Sequence, residues 1–362
     1  LSSAPSARRR LALFDEPSRR SRFDVLPPVP GDFTPQPLQD SQGRVYRYVR
    51  FSLTDHCDMA CVYCMPQGGE LEHGLRPELL TEEEILRLAR IMQPLGVRRV
   101  RLTGGEPLLR KGLPSLIRGL RDLGIDDVFL TTNGSRLQAL ARPLQEAGLR
   151  GVNVSIDSLV HARFAEITRG AQLDQVLAGI EEARQAGLVV KTNSVVLRGK
   201  NDDELESLVR WAWARSITPR FIELMPLGEG AKLPSAMFVP RTEMQRALAH
   251  LLQEGSHIDE GAGPARYWRS LDGAQKVGFI TSVSEEFCAS CNRFRLTAVG
   301  EIRACLASRR ALSLRDLMRE GSDDRTLAWA LHWSLLGKAR GHAFTDPEES
   351  EHAHVGMSLI GG

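Results

Sequence analysis

The run His56-Cys57-Asp58-Met59-Ala60-Cys61-Val62-Tyr63-Cys64-Met65-Pro66 is the stretch around which the chain is organised. It follows an apolar segment, Tyr48 to Leu53, that reads as a strand, so its three cysteines fall on the loop after that strand. Their spacing, Cys57-x3-Cys61-x2-Cys64, makes them candidate ligands of one metal site. An iron–sulfur cube normally takes four thiolates, and a compact set of three holds it while leaving one iron open to another ligand. An open iron points to chemistry rather than storage. The competing reading is packing: the same spacing puts three small apolar side chains on one buried helix face.

Working outward, 362 residues with 42% hydrophobic and 25% charged content are typical of a soluble enzyme of one or two domains. No apolar run approaches the ~20 residues of a membrane-spanning helix. The 47 basic residues against 45 acidic ones argue against a nucleic-acid partner, while leaving room for a local basic pocket that takes a small anion. The six cysteines form two groups, Cys57/Cys61/Cys64 and Cys288/Cys291/Cys305. Such clustering favours metal binding in a reducing compartment over secreted cross-links, so a cytoplasmic protein is expected. Residues 1–40, rich in Arg, Ser and Pro and without hydrophobic period, read as a flexible extension; Asp15 and Glu16 weaken a transit-peptide reading.

From Tyr46 onward, strand-like runs alternate with helical patterns. The strands are expected at Tyr48–Leu53, Val97–Thr103, Val128–Thr132, Val152–Ile156, Val189–Val195 and Arg220–Leu224, with helices near 81–94, 112–123, 136–147, 171–186 and 202–213. Thr81 with Glu84 forms a capping box, and Ile85, Leu88, Met92 and Leu95 follow at helical spacing. Repeated βα units predict an α/β fold with a parallel sheet curled into a partial (β/α)6 barrel over residues 41–226, its functional groups at the C-terminal strand ends. Residues 227–362 read as an α+β extension with a helix near 241–253 and strands at Gln275–Ser282 and Asn292–Ala298.

Gly104-Gly105-Glu106-Pro107 closes the second strand. Pro107 lacks an N–H and Glu106 would repel phosphate, so a bound ammonium group suits this turn better than a phosphate; a plain strand-to-helix turn is the alternative. Cys288-x2-Cys291 with the later Cys305 makes the second set of three, for which zinc completed by a distant ligand is the rival to a cluster. Arg50, Arg101, Lys191, Arg293 and Arg295 are candidate contacts for an anionic substrate, although any single strand Arg is commonly a solvated surface residue. Arg293 and Arg295 alternate by two and so share one strand face.

The first triple, with Tyr63 between its last two cysteines, resembles the signature of the radical S-adenosylmethionine (SAM) enzymes, whose fold is a six-unit partial barrel. More narrowly, RYVRFSLTDHCDMACVYCMP together with FCASCNRFRLT and the trailing Cys305 is similar to the GTP 3′,8-cyclases, which carry out the first step of molybdenum cofactor biosynthesis. The match runs from about Tyr46 to Gly361-Gly362; His56, Asp58 and Ala307 depart from the usual residues without removing a ligand.

The resemblance implies two [4Fe-4S] clusters, one on Cys57, Cys61 and Cys64 that chelates SAM, the other on Cys288, Cys291 and Cys305 facing guanine. It implies SAM contacts from Tyr63, Gly105, Glu106, Ser155 and Met225, and GTP contacts from Arg50, Arg101, Thr131, Lys191, Arg293, Phe294 and Arg295. Arg293, Arg295, Gly361 and Gly362 are implied as needed for catalysis. The implied reaction cleaves SAM reductively to a 5′-deoxyadenosyl radical that takes hydrogen from ribose C3′ of GTP. The C3′ radical then attacks C8, and reduction and protonation give 3′,8-cyclo-7,8-dihydro-GTP. Implied partners are a flavodoxin- or ferredoxin-type reductant and a downstream cyclic pyranopterin monophosphate synthase; a homodimer is one candidate assembly.

Two alternatives stand beside this: a radical SAM enzyme acting on a peptide or other small molecule, and a non-enzymatic metal-site binding module. The terminal MSLIGG reads either as a frayed end or as a segment anchored by Met357, Leu359 and Ile360 that sends two glycines into a crowded pocket. Deleting Gly361 and Gly362 is expected to leave SAM binding intact and to stop the GTP chemistry; equal product yield from a chain ending at Ile360 would refute the anchored reading.

Overall fold

The computed structural model describes residues 22–23, 25–66, 76–259, 263–285, 287–308, 310–341 and 357. In chain order the strands begin with β1 (Arg22–Phe23), β2 (Tyr48–Ser52), β3 (Arg99–Thr103), β4 (Asp127–Thr132), β5 (Gly151–Ser155), β6 (Val189–Val196) and β7 (Thr218–Glu223). They continue with β8 (Leu252–Asp259), β9 (Ala265–Ser270), β10 (Lys276–Ile280), β11 (Arg293–Leu296), β12 (Glu301–Arg303) and β13 (Arg310–Ser313). The helices are α1 (Glu82–Met92), α2 (Leu113–Asp122), α3 (Leu137–Glu146), α4 (His161–Thr168), α5 (Leu173–Gln185), α6 (Leu205–Trp213), α7 (Arg241–Ala247), α8 (Leu314–Arg319) and α9 (Asp324–Leu336). Among the described residues no helix is long and apolar enough to cross a membrane.

β2 to β7 pair in parallel in sequence order, giving the six expected βα strands. Period-two alternation divides their side chains. Val49, Phe51, Val100, Leu102, Val128, Leu130, Val152 and Val154 are buried in one apolar core with the inner faces of the helices. Their neighbours Arg50, Arg101, Thr131, Asn153, Ser155 and Lys191 face a cavity inside the curl. The capping box forms as read: Thr81 N–H donates to Glu84 and Glu84 N–H to Thr81 Oγ1 at 2.8 and 3.2 Å.

Three features go beyond the sequence reading or depart from it. First, the strands of the α+β extension beyond residue 226 join the barrel's own sheet. β11 adds in parallel to β2 and β10 adds in parallel to β7, so the extension covers both edges of the barrel and one sheet runs through all thirteen strands. Backbone N–H and C=O groups on those edges would otherwise lack ladder partners. Because β10 and β11 are consecutive, the segment 281–292 crosses from the upper end of one barrel edge to the lower end of the other, where Arg293 is level with Tyr48.

Second, the helix expected over 241–253 stops at Ala247. After a 3-10 turn at Ala249–Leu251, β8 pairs antiparallel with β9, the ladder outcompeting local helical pattern. α4, which carries no clear sequence signal, also forms, with Phe164 and Ile167 buried.

Third, the flexible extension expected through residue 40 is corrected for residues 25–40, which pack on α9; residues 1–21 lie outside the described residues. Trp329 Nε1 donates to Pro27 O at 3.0 Å, Arg325 donates to the carbonyls of Pro30, Gly31 and Phe33, and Phe33 sits edge-on to Trp329. Their partners lie some 300 positions away, which is why composition alone misread them. Behind this segment Asp40, 5% exposed, accepts from Arg44 Nε and from Tyr46 Oη at 2.6 Å.

Asp40→Ala leaves the buried Arg44 without its carboxylate and is expected to destabilise the fold by about 3 kcal/mol or more, read as a fall in the denaturant midpoint. Burial alone would raise the Asp40 carboxyl, and the bonds from Tyr46 and Arg44 outweigh it, holding it below 3.8. This contribution is therefore full at neutral pH and is lost as pH falls through the folded value. An unchanged midpoint would contradict the assignment.

Candidate active site

A cavity of about 650 Å³ lies within the curl, and both cysteine groups line it. The first loop is held from three sides. Val62 N–H donates to Ile167 O at 2.9 Å, and Arg169 Nη1 donates to the carbonyls of Ala60, Met65 and Pro66, so the C-terminal end of α4 is its seat. Tyr63 Oη donates to Asp157 at 2.7 Å, which ties the loop to the end of β5. Asn133 Nδ2 donates to Asp58 at 2.7 Å and lies 3.7 Å from Cys57 Sγ. Asp58, one of the departures noted above, therefore braces the loop against the turn after β4.

The Gly104-Gly105 turn locks onto this loop. Gly105 N–H donates to Thr54 O and Glu106 N–H to His56 O, both at 2.7 Å. A Cβ at Gly105 would lie 2.3 Å from His56 O, so only glycine admits this approach. Gly105, Ser155 and Met225 line the cavity beside Cys57, Cys61 and Cys64, as does Asn193, whose buried Oδ1 has no hydrogen-bond partner. Glu106 departs from expectation. Its carboxylate is fully buried, away from the cavity lining, and accepts from Leu108 N, Thr132 Oγ1 and Asn133 N at 2.9, 2.7 and 2.7 Å. Burial raises it to about 7 against those bonds, so Glu106 shapes the turn rather than presenting a free carboxylate.

The cysteines fit a cationic group. Burial pushes the Cys57 thiol up to about 11 and Cys61 well above its ordinary value, and the Asp157 carboxylate adds to the latter. Thiolates here need a positive partner, which cluster iron supplies. With the glycine cradle and the unpartnered Asn193 amide beside them, the residues fit an iron–sulfur cluster and a polar cofactor with an amino-acid end.

Farther down, cations fill the wall. Arg295, Arg50 and Arg101 stand directly opposite one another across β11, β2 and β3. Arg101 Nε donates to Tyr48 Oη and its guanidinium lies 5.3 Å over the Phe129 ring. Lys191 Nζ is 3.3 Å from Tyr267 Oη. Burial and Arg293 pull Arg295 down to about 10, and burial with Arg295 presses Arg50 well below its ordinary value. Like charges opposite one another destabilise a sheet, so this row calls for a bound polyanion.

Arg220 escaped the sequence reading. It is 7% exposed, lines the cavity, and its Nε and Nη2 have no hydrogen-bond partner. The available signal was Gly278, opposite it on β10, where a Cβ would lie 2.7 Å from Arg220 Cγ and 2.8 Å from the Tyr267 ring. Phe294, between Arg293 and Arg295, faces the other way, fully buried and edge-on to Tyr46, so its side chain does not line the cavity and only its backbone lies on the arginine strand beside it. Gly361 and Gly362 lie outside the described residues, while Met357 does line the cavity.

The second cysteine group sits on the crossing segment 281–292 and on the turn after β12. Glu223, fully buried at the end of β7, anchors one end by accepting from Val283 N and Ser284 N at 3.0 and 2.9 Å. Arg44 anchors the other by donating to Cys288 O at 2.8 Å. Burial alone would raise Cys291, yet Arg293 and Lys338 beside it bring the thiol to about 7.

A partial barrel with three cysteines after its first strand and a glycine turn after its second defines a radical SAM enzyme, and residues 51–212 match the Radical SAM superfamily while 217–344 match Molybdenum Cofactor Synthesis C. The family uses a [4Fe-4S] cluster and SAM. The chain is 42% identical to the GTP 3′,8-cyclase of Rhodopseudomonas palustris strain TIE-1, covering 93% of this chain and 98% of that one. It is 43% identical to that of Pelotomaculum thermopropionicum, covering 90% and 100%. The chain belongs to the GTP 3′,8-cyclase family. Among solved structures, Streptococcus suis SuiB bound to its precursor peptide SuiA is similar at a TM-score of 0.54 and 14% identity, over 82% of this chain and 68% of that one, a likeness of fold alone.

Gly105→Ala is expected to push the His56 carbonyl aside and disorder the cysteine loop. After anaerobic reconstitution the variant should bind SAM at least tenfold more weakly than the parent by equilibrium dialysis; equal affinity would remove the cradle from the site.

Proposed function

We propose that this chain converts GTP to (8S)-3′,8-cyclo-7,8-dihydroguanosine 5′-triphosphate, the first step of molybdenum cofactor biosynthesis. The observation that carries the reading is the cavity itself, lined by a thiolate site able to take a cluster and SAM, by a second cysteine triple, and by a row of guanidinium groups in register across β11, β2 and β3. A nucleoside triphosphate is a polyanion with a base at one end, and this arrangement offers complementary groups to both.

When bound, the SAM-loaded cluster supplies the carbon radical that removes a hydrogen atom from the substrate. The protein's own task is placement. Gly105, Ser155, Asn193 and Met225 orient the cofactor, and Tyr63 acts through its bond to Asp157 to keep the cysteine loop in register. Arg50, Arg101, Arg220, Lys191, Arg293 and Arg295 hold the phosphates, with Thr131 beside Arg101, so that the ribose lies toward the first cysteine site. Cys288, Cys291 and Cys305 would hold a second [4Fe-4S] cluster, which with only three protein thiolates would offer a coordination position for the base of the substrate. The crossing segment screens the cavity from water while the ring closes. A flavodoxin- or ferredoxin-type reductant supplies electrons, and a cyclic pyranopterin monophosphate synthase consumes the product.

The test is anaerobic reconstitution followed by incubation with SAM, reductant and GTP: two cubes give ~8 irons per chain, and 5′-deoxyadenosine forms only when GTP is present. Zinc in place of iron, or SAM cleavage indifferent to GTP, would sink the reading. Arg220→Ala removes a buried guanidinium whose Nε and Nη2 have no hydrogen-bond partner and is expected to raise the KM for GTP by about 10- to 100-fold, from about 1.5–3 kcal/mol per charged hydrogen bond. A KM equal to the parent's would take Arg220 out of the phosphate site.

A further inference from the structure

Lys338 follows α9 and turns its side chain inward, where it is 6% exposed. Its Nζ donates to Arg293 O at 2.8 Å, lies 3.5 Å from Cys291 Sγ and sits 4.7 Å over the Tyr46 ring. None of these contacts is a carboxylate. Asp40, the carboxylate on Tyr46, is taken up by Arg44 and the Tyr46 hydroxyl. A buried ammonium needs an anion, and among the described residues the acidic group in contact with it is the Cys291 sulfur, with Cys305 acting from farther away.

The surroundings hold this geometry in place. Arg44 donates to Cys288 O at 2.8 Å and to Ala339 O at 3.0 Å, so one guanidinium ties the cysteine segment to the segment carrying Lys338. Asp40 and Tyr46 fix Arg44 in turn. The stretch Asp40–Tyr46 thus acts as a clasp on the second cysteine group.

We propose that Lys338 is a positioning residue for the second cluster, its ammonium serving as the hydrogen-bonding charge partner of the Cys291 thiolate and favouring the reduced state of the bound cluster. The inference rests on the reading of Cys288, Cys291 and Cys305 as cluster ligands. A cation beside a ligand sulfur stabilises added negative charge, so its removal makes the cluster harder to reduce.

The test uses the full chain with Cys57, Cys61 and Cys64 all changed to Ala, so that the remaining iron belongs to the second site. After anaerobic reconstitution, iron per chain and the midpoint potential, followed by electron paramagnetic resonance during a redox titration, are measured for this background and for it with Lys338→Met or Lys338→Arg. Lys338→Met, similar in length and uncharged, is expected to shift the midpoint to more negative values and to lose iron faster to a chelator. Lys338→Arg keeps the charge and should stay near the background. No iron in the background overturns the reading of the second site, and the inference with it. Iron present with the same potential in Lys338→Met, or an equal shift in Lys338→Arg, overturns the role of Lys338 alone.

Discussion

Pairing of β11 with β2 and of β10 with β7 is the constraint on which this structure depends. A six-stranded parallel curl is an open barrel with two unsatisfied edges, and the chain satisfies both with consecutive strands of its own C-terminal half. Consecutive strands on opposite edges force the segment between them to cross the opening. That segment carries Cys288 and Cys291, so edge closure and the placing of the second cysteine group are one event. Glu223 and Arg44, each bonding the segment's backbone, fasten its two ends.

The same pairing concentrates charge. Arg50 and Arg101 face each other across β2 and β3, Arg295 joins the row when β11 docks beside β2, and three guanidinium groups in one largely sequestered row oppose folding through repulsion and desolvation. The fold tolerates this because strand pairing and the apolar core behind it contribute more than the row costs. A bound polyanion would relieve the repulsion. Tyr48 and Tyr267 soften the row by standing among the cations with their hydroxyls beside Arg101 and Lys191.

Opposite charges are arranged with similar economy around the first cysteine group. Glu106 and Asp157 are both buried near it, and both are occupied, Glu106 by the turn after β4 and Asp157 by Tyr63 and the Val195 amide. Each carboxylate fixes a loop, and each leaves the cavity face to glycine, serine and asparagine. Glu106 does this from outside the cavity lining, and Asp157 from its wall.

Local order was legible in the sequence because it depends on near neighbours. The period-two runs marked all six barrel strands, Thr81 and Glu84 marked the start of α1, and the spacing of Cys57, Cys61 and Cys64 marked a metal site, since each signal lies within one turn or one strand. Tertiary structure decided what depends on distant partners. Residues 25–40 are ordered by tryptophan and arginine side chains of α9, α4 is stabilised beneath the cysteine loop it supports, and Phe294 turns to the core because β11 has only two faces and the arginines occupy one. Arg220 was invisible for the same reason: a strand arginine becomes a ligand group only when a glycine on a strand nearly sixty residues later leaves room for it. Sequence by itself determined the six barrel strands, the start of α1 and the spacing of the first cysteine triple, through near neighbours along the chain. Which side chains share the cavity was decided by strand pairing across the sheet, a choice made by hydrogen-bonded edges rather than by any local pattern.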